Sequence, residues 1–238
     1  MTTAVEEKLI TARISLLLKQ GWFGNMATSM KLIDVTDDGW LPTAATDGRN
    51  FYYNREFVNK LDIKEIEFLF GHEVLHACFE HCYRRGDRDA RLWNIACDYA
   101  VNDILVTERV GEMVKVVKPI HDVKYRGKFA EEIYDDIYEN AEKINVQIFD
   151  YHLDPEGNET GGQPQDGNGE AGDQEGKGKG RAPTLTEEEQ RQIREELKEA
   201  MISAAKAAGN APAGIKRLIK ELTEPKDRKS TRLNSSHI

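Results

Sequence analysis

Histidines at positions 72 and 76, with a glutamate at 73, restrict this chain more than any other feature. On a helix, residues four apart lie about 40° apart around the axis, so both imidazoles reach one metal ion. Glu73 is one step, about 100°, further round, beside such an ion rather than on it. That is where a general base for a metal-activated water belongs. The flanks favour a helix. Asp62, with Glu65 three residues on, reads as a capping-box start. Ile66, Phe70, Val74 and Ala77 form one apolar side, while Leu69, Phe79 and Tyr83 share the other with the histidines. Such a pattern predicts a helix from Asp62 to Arg85 buried nearly all round, stopped by Gly86.

His-Glu-x-x-His is the signature of zinc metallopeptidases, and such a site needs a third ligand. A second helix is predicted from about Asp89 to Val106, with Asp98 on a stripe with Ile95, Val101 and Leu105, joined by Asn94 and Asn102. A carboxylate on a largely apolar stripe is expensive unless it meets a cation. It can pair with Arg91 two turns back, or serve as the third zinc ligand, which is the favoured reading. Asn102, one turn on, is placed to hold a ligating histidine by its other ring nitrogen. His81 is the rival ligand. Nine residues after His72, it lies about 180° away on a continuous helix. Ala77-Cys78-Phe79-Glu80 offers no Gly or Pro to break that helix, so His81 is expected to be a packed core histidine. Phe79 and Cys82 stand where the metzincin pattern wants Gly and His, which excludes that subclass.

Composition narrows the class of partner. A net charge of -9 argues against nucleic acid, whose phosphates need a basic surface. The sequence has no run of 18 apolar residues, and its N-terminus lacks a basic region leading into an apolar segment, so neither a membrane span nor a secretory signal is expected. Cys78, Cys82 and Cys97 are odd in number and fall in predicted helices, as small apolar residues of a reduced compartment do. A soluble, cytoplasmic protein is the expectation.

The remaining chain divides by pattern. Residues 4–20 read as a helix with Ile10, Ile14, Leu17 and Leu18 on one stripe and Gly21 as its stop. Met26 to Val35 is short and β-prone, and Leu41 to Asn54 reads as two strands about the turn at Asp47-Gly48. Either strand of that hairpin can serve as an edge that pairs with an extended substrate, or be plain structure. Val114 to Pro119 is a short strand or loop, and Ala130 to Ile137 a short helix. His121, Tyr125 and His152 are polar groups able to stabilise an oxyanion, with nothing in their spacing to choose among them. Residues 154–183 hold nine of the nineteen glycines and no large apolar side chain, the composition of an acidic disordered linker or insert. Thr186 and Glu189 open another helix running to about Ala208, and Ile215, Leu218, Ile219 and Leu222 mark a last amphipathic one. The final stretch, Asp227 to Ile238, has no periodicity and resembles the translation of a common sequencing adapter. It is set apart as an artefactual tail, implying that the natural protein continues past Lys226.

Taken together, the sequence resembles a family of bacterial and phage metal-dependent peptidases in which an H-E-x-x-H domain precedes a von Willebrand factor A-like domain. The resemblance rests on Thr46-Asp-Gly-Arg49 with Tyr52-Tyr-Asn54, His72 to His76 continuing to His81, Trp93 to Asp98 with Val101-Asn102, and Gly209 to Ile215. It covers roughly residues 5–225, and the A-like domain is missing. It implies a neighbouring ring-forming ATPase of the MoxR type (AAA+) as partner. The expected architecture is α+β: a zincin-like metallopeptidase domain over 1–153, the linker or insert over 154–183, a helical extension over 184–226 and the tail 227–238. The expected chemistry is hydrolysis of peptide or protein substrates, with Zn2+ on His72, His76 and Asp98, and Glu73 as the base. A non-catalytic metal-stabilised module that binds an ATPase is the first alternative, and a metal-free helical scaffold the second.

Overall fold

The computed structural model describes residues 3–117, 120–140 and 183–223. The molecule is α+β, with a small sheet set among helices. Helices α1 (Ala4–Lys19) and α2 (Gly21–Ser29) lead into strand β1 (Lys31–Asp34). Strands β2 (Ala44–Thr46) and β3 (Asn50–Tyr53) form the expected hairpin. The sheet order is β1-β3-β2, with β1 parallel and β2 antiparallel to β3. β3 is therefore central, and of the hairpin only β2 is an edge strand; β2 also contacts α4 (Ile63–Cys78). A short α3 (Arg55–Lys60) precedes α4; α5 (His81–Arg84), α6 (Ala90–Glu108), a 3-10 turn at Val123–Tyr125 and α7 (Ala130–Tyr138) follow it. Helices α8 (Glu187–Ala208) and α9 (Ala213–Thr223) complete the described chain.

The central helix starts as its sequence dictates. Asp62 accepts a bond from the Glu65 amide, and Glu65 returns one to the Asp62 amide, pairing two of the donors that a helix start leaves open. From Glu65 to Cys78 every residue is buried. Its neighbours α1, α2, α6 and α8 account for that enclosure. Gly71 makes room for the end of α6 and the residues after it: a Cβ there would stand 2.6 Å from Leu105 and 3.0 Å from Val110. Helix α6 has two working faces. Val101 and Leu105 enter the main core, while Trp93, Ile95, Ala96 and Cys97 build a second core with Tyr125, Ile133, Tyr134 and Ile137.

Three local expectations are corrected. Gly21 does not end helical structure; it begins α2, so Met26 to Ser29 is helical and only Lys31–Asp34 is a strand. The stripe of α1 that faces the core is Leu9, Ala12 and Leu16, fully buried, whereas Ile14 and Leu18 are 53% and 82% exposed. A small alanine on the true face lets the helix pack closely, and a count of large residues misses it. Third, α4 ends at Cys78 rather than Arg85. Glu80 takes a left-handed conformation (φ 53°, ψ 37°), and the chain restarts as α5. Residues 114–117 form no strand. His152, residues 154–182 and the tail lie outside the described residues.

Candidate metal centre

Helices α4 and α6 bring His72, His76 and Asp98 together in the buried interior. Nε2 of His76 lies 3.4 Å, and Nε2 of His72 3.6 Å, from the same Asp98 oxygen, Oδ1. Ligand atoms about 2.0–2.2 Å from a tetrahedral ion stand roughly 3.3–3.6 Å from one another, so these separations suit a zinc-sized centre better than direct N–H···O bonds. Asp98 thus faces the two histidines rather than carrying its charge toward solvent. The donor set, two imidazoles and a carboxylate, fits a borderline cation.

The hydrogen bonds behind His72 fix its tautomer. Asn102 Nδ2 donates to the Ile120 carbonyl at 2.8 Å, which sets the amide so that Oδ1 faces Nδ1 of His72 at 3.0 Å. An amide oxygen only accepts, so His72 carries a proton on Nδ1, and its neutral form presents a bare Nε2 toward Asp98. His76 has a different neighbour: Nδ1 of His81 lies 3.1 Å from its own Nδ1. The break at Glu80 places His81 there, against the expectation that an unbroken helix would carry it to the far side. No local residue signals that break. It is held by side chains that come later in the chain: Trp93 Nε1 donates to the His81 carbonyl at 2.9 Å, and Arg84 Nη1, from within α5, donates to the Phe79 carbonyl at 2.9 Å.

Glu73 is buried and lines a cavity of about 20 Å³ with His76, His81, Cys82 and the hairpin tip Thr46-Asp47-Gly48, room for a single water. The tip is built by Asp47, whose carboxylate accepts bonds from the Arg49 and Asn50 amides and from the Tyr52 hydroxyl. Burial, and next the adjacent Asp47 charge, push the Tyr52 hydroxyl pKa up. Helix α8 forms the roof through Ile193, Arg194 and Leu197. A Cβ on Gly48 would stand 3.0 Å from Ile193. Arg49 holds Glu196 through two bonds of 2.9 Å, and the Arg194 guanidinium lies over the Tyr83 ring at 5.2 Å. The roof is a part of the site that sequence reading did not anticipate; the amphipathic pair Ile193 and Leu197 was its one visible trace.

Two other candidates fall elsewhere. His121 Nε2 lies 3.4 Å from Asp103, and the Tyr125 hydroxyl donates to Asp136 at 2.6 Å. Neither lines the cavity at Glu73. Among the described residues no helix is long and apolar enough to cross a membrane. No curated protein and no solved structure matches the chain. Residues 4–228, which span the His-His-Asp cluster, the hairpin and both C-terminal helices, match the family described as "Putative metallopeptidase domain", and the chain belongs to that metallopeptidase family.

Proposed function

We propose that this protein is a zinc-dependent peptidase of zincin-like design, hydrolysing peptide bonds of protein or peptide substrates. The observation that carries the reading is the convergence of His72, His76 and Asp98 with Glu73 on the adjoining cavity. His72 and His76 through Nε2, and Asp98 through Oδ1, are the atoms that would hold the ion. When bound, zinc supplies Lewis acidity to a water and to the scissile carbonyl. Glu73 takes the proton of the attacking water and passes it to the leaving amine. Asn102 keeps His72 in its ligating tautomer. The edge of β2 is the backbone against which an extended substrate would pair. Zinc is preferred to iron or manganese because a three-ligand site of this donor type suits it.

The test is Glu73→Gln, assayed on an unfolded protein substrate with zinc content measured in the same preparation. One zinc per chain should be retained while hydrolysis falls by about 10²–10⁴-fold. Activity equal to wild type in that variant would overturn the assignment.

One observation favours a second reading. With α8 in place the cavity admits about one water, not a peptide. A metal-stabilised module that binds a partner needs no more. Under that reading wild type loses thermal stability with a chelator yet cleaves nothing under any condition. A ring-forming MoxR-type ATPase is the partner to test by co-purification, and the free thiols of Cys78, Cys82 and Cys97 suit a cytoplasmic location.

A further inference from the structure

We propose that His81 is a positioning residue for the metal centre: it accepts a hydrogen bond from Nδ1–H of His76 and so holds that imidazole with Nε2 free to ligate. The inference rests on the reading of His72, His76 and Asp98 as ligands. It begins from the 3.1 Å separation of the two Nδ1 atoms. Two facing ring nitrogens bond only when one carries a proton and the other does not. Nε2 of His76 points to Asp98 at 3.4 Å, and a nitrogen that ligates a metal must be bare. The proton of neutral His76 is then on Nδ1, and His81 is the acceptor, with its own proton on Nε2. His81 stands behind His76, on the ring edge away from Asp98, which is where a ligand's supporting partner belongs rather than a ligand.

The fold maintains this placement at a cost. Glu80 is one of two non-glycine residues with positive φ among those described, a left-handed conformation disfavoured for any residue with a Cβ. Without it His81 would continue α4 and turn away from His76. The ring itself is fixed on two sides. It lies nearly parallel to Phe79 at 5.6 Å and meets the Trp93 edge at 6.2 Å, and it is 3% exposed. A side chain needed only to fill that space would gain nothing from a nitrogen there.

Two substitutions separate the roles. His81→Phe keeps the aromatic packing and removes the acceptor. His81→Asn loses packing but sets an amide oxygen close to the place of Nδ1. Zinc affinity of the full chain is measured by competition with a chromophoric chelator, beside His76→Ala, and the cobalt-substituted forms are compared by their visible spectra. Positioning predicts affinity about 10–100-fold weaker in His81→Phe with an altered cobalt spectrum, and near-wild-type values in His81→Asn. A Phe variant equal to wild type, or an Asn variant as weak as Phe, overturns the proposal. If His76→Ala binds zinc as wild type does, the ligand assignment fails and the proposal falls with it. If His76→Ala loses zinc while His81→Phe does not, the ligand assignment stands and only the positioning role is lost.

Discussion

The side-chain oxygen of Asn102 lies 3.0 Å from Nδ1 of His72, and the nitrogen of the same amide donates to the Ile120 carbonyl at 2.8 Å. One asparagine therefore ties α6 to α4 and to the loop that leads toward α7. Replacing it with leucine removes both bonds while keeping the number of heavy atoms and the branching. Zinc affinity should fall by about 10–100-fold, because His72 is released to rotate and change tautomer. Independently, the metal-free protein should lose about 1–3 kcal/mol, since the Ile120 carbonyl loses its donor. Chelator competition measures the first effect and urea unfolding of the metal-free form the second. A loss of stability with unchanged affinity would separate Asn102 from the metal centre.

The roof over Glu73 can be tested without any substrate. Cys82 lines the cavity beneath α8, and burial pushes its thiol pKa up to about 12. Thiolate is the reactive form, so a maleimide should label it slowly, the rate rising about tenfold per pH unit between pH 7 and 10 with no plateau. Glu196→Arg sets like charges at the Arg49 contact. An exposed pair of this kind contributes up to about 1 kcal/mol, so labelling should accelerate roughly fivefold or more. The swap Arg49→Glu with Glu196→Arg should bring the rate back. If zinc and Glu73 catalyse, peptide hydrolysis should follow the same order; equal labelling in all three proteins would mean that α8 does not open.

Two leucines on α1 should respond very differently to truncation. Leu16 is fully buried among the core residues, while Leu18 is 82% exposed. Leu16→Ala should cost about 2–5 kcal/mol and Leu18→Ala within about 0.5 kcal/mol. The midpoint of urea unfolding distinguishes them, and equal shifts would refute the assignment of the buried stripe.

Features coded within four residues were legible in the sequence, and features held by distant contacts were not. The capping boxes at Asp62 and Thr186, the Asp47-Gly48 hairpin and the stripe from Asn94 to Leu105 all appear where local pattern puts them. The approach of Asp98 to the two histidines is made across helices; it was legible only through the cost of a carboxylate on a largely apolar stripe, which called for a cation nearby. The end of α4 was hidden because Ala77 to Glu80 is compatible with helix; Trp93, from the next long helix, bonds to the His81 carbonyl on the far side of the break. The inner face of α1 was hidden for another reason: both faces carry apolar residues at helical spacing, and only the neighbours decide which is covered. The roof of α8 depends on Arg49 meeting Glu196, 147 positions along the chain, which no local pattern encodes.

Gly71 immediately precedes the first histidine, and a methyl group there would stand 2.6 Å from Leu105, on the helix that carries Asp98. The two helices behave as the jaws of a caliper whose opening is set by that missing methyl. Their separation bears on the 3.6 Å bite between Nε2 of His72 and Oδ1 of Asp98, and hence on the size of ion the jaws could grip. If the centre holds an ion as proposed, its selectivity would depend partly on a residue with no side chain and no ligand atom of its own.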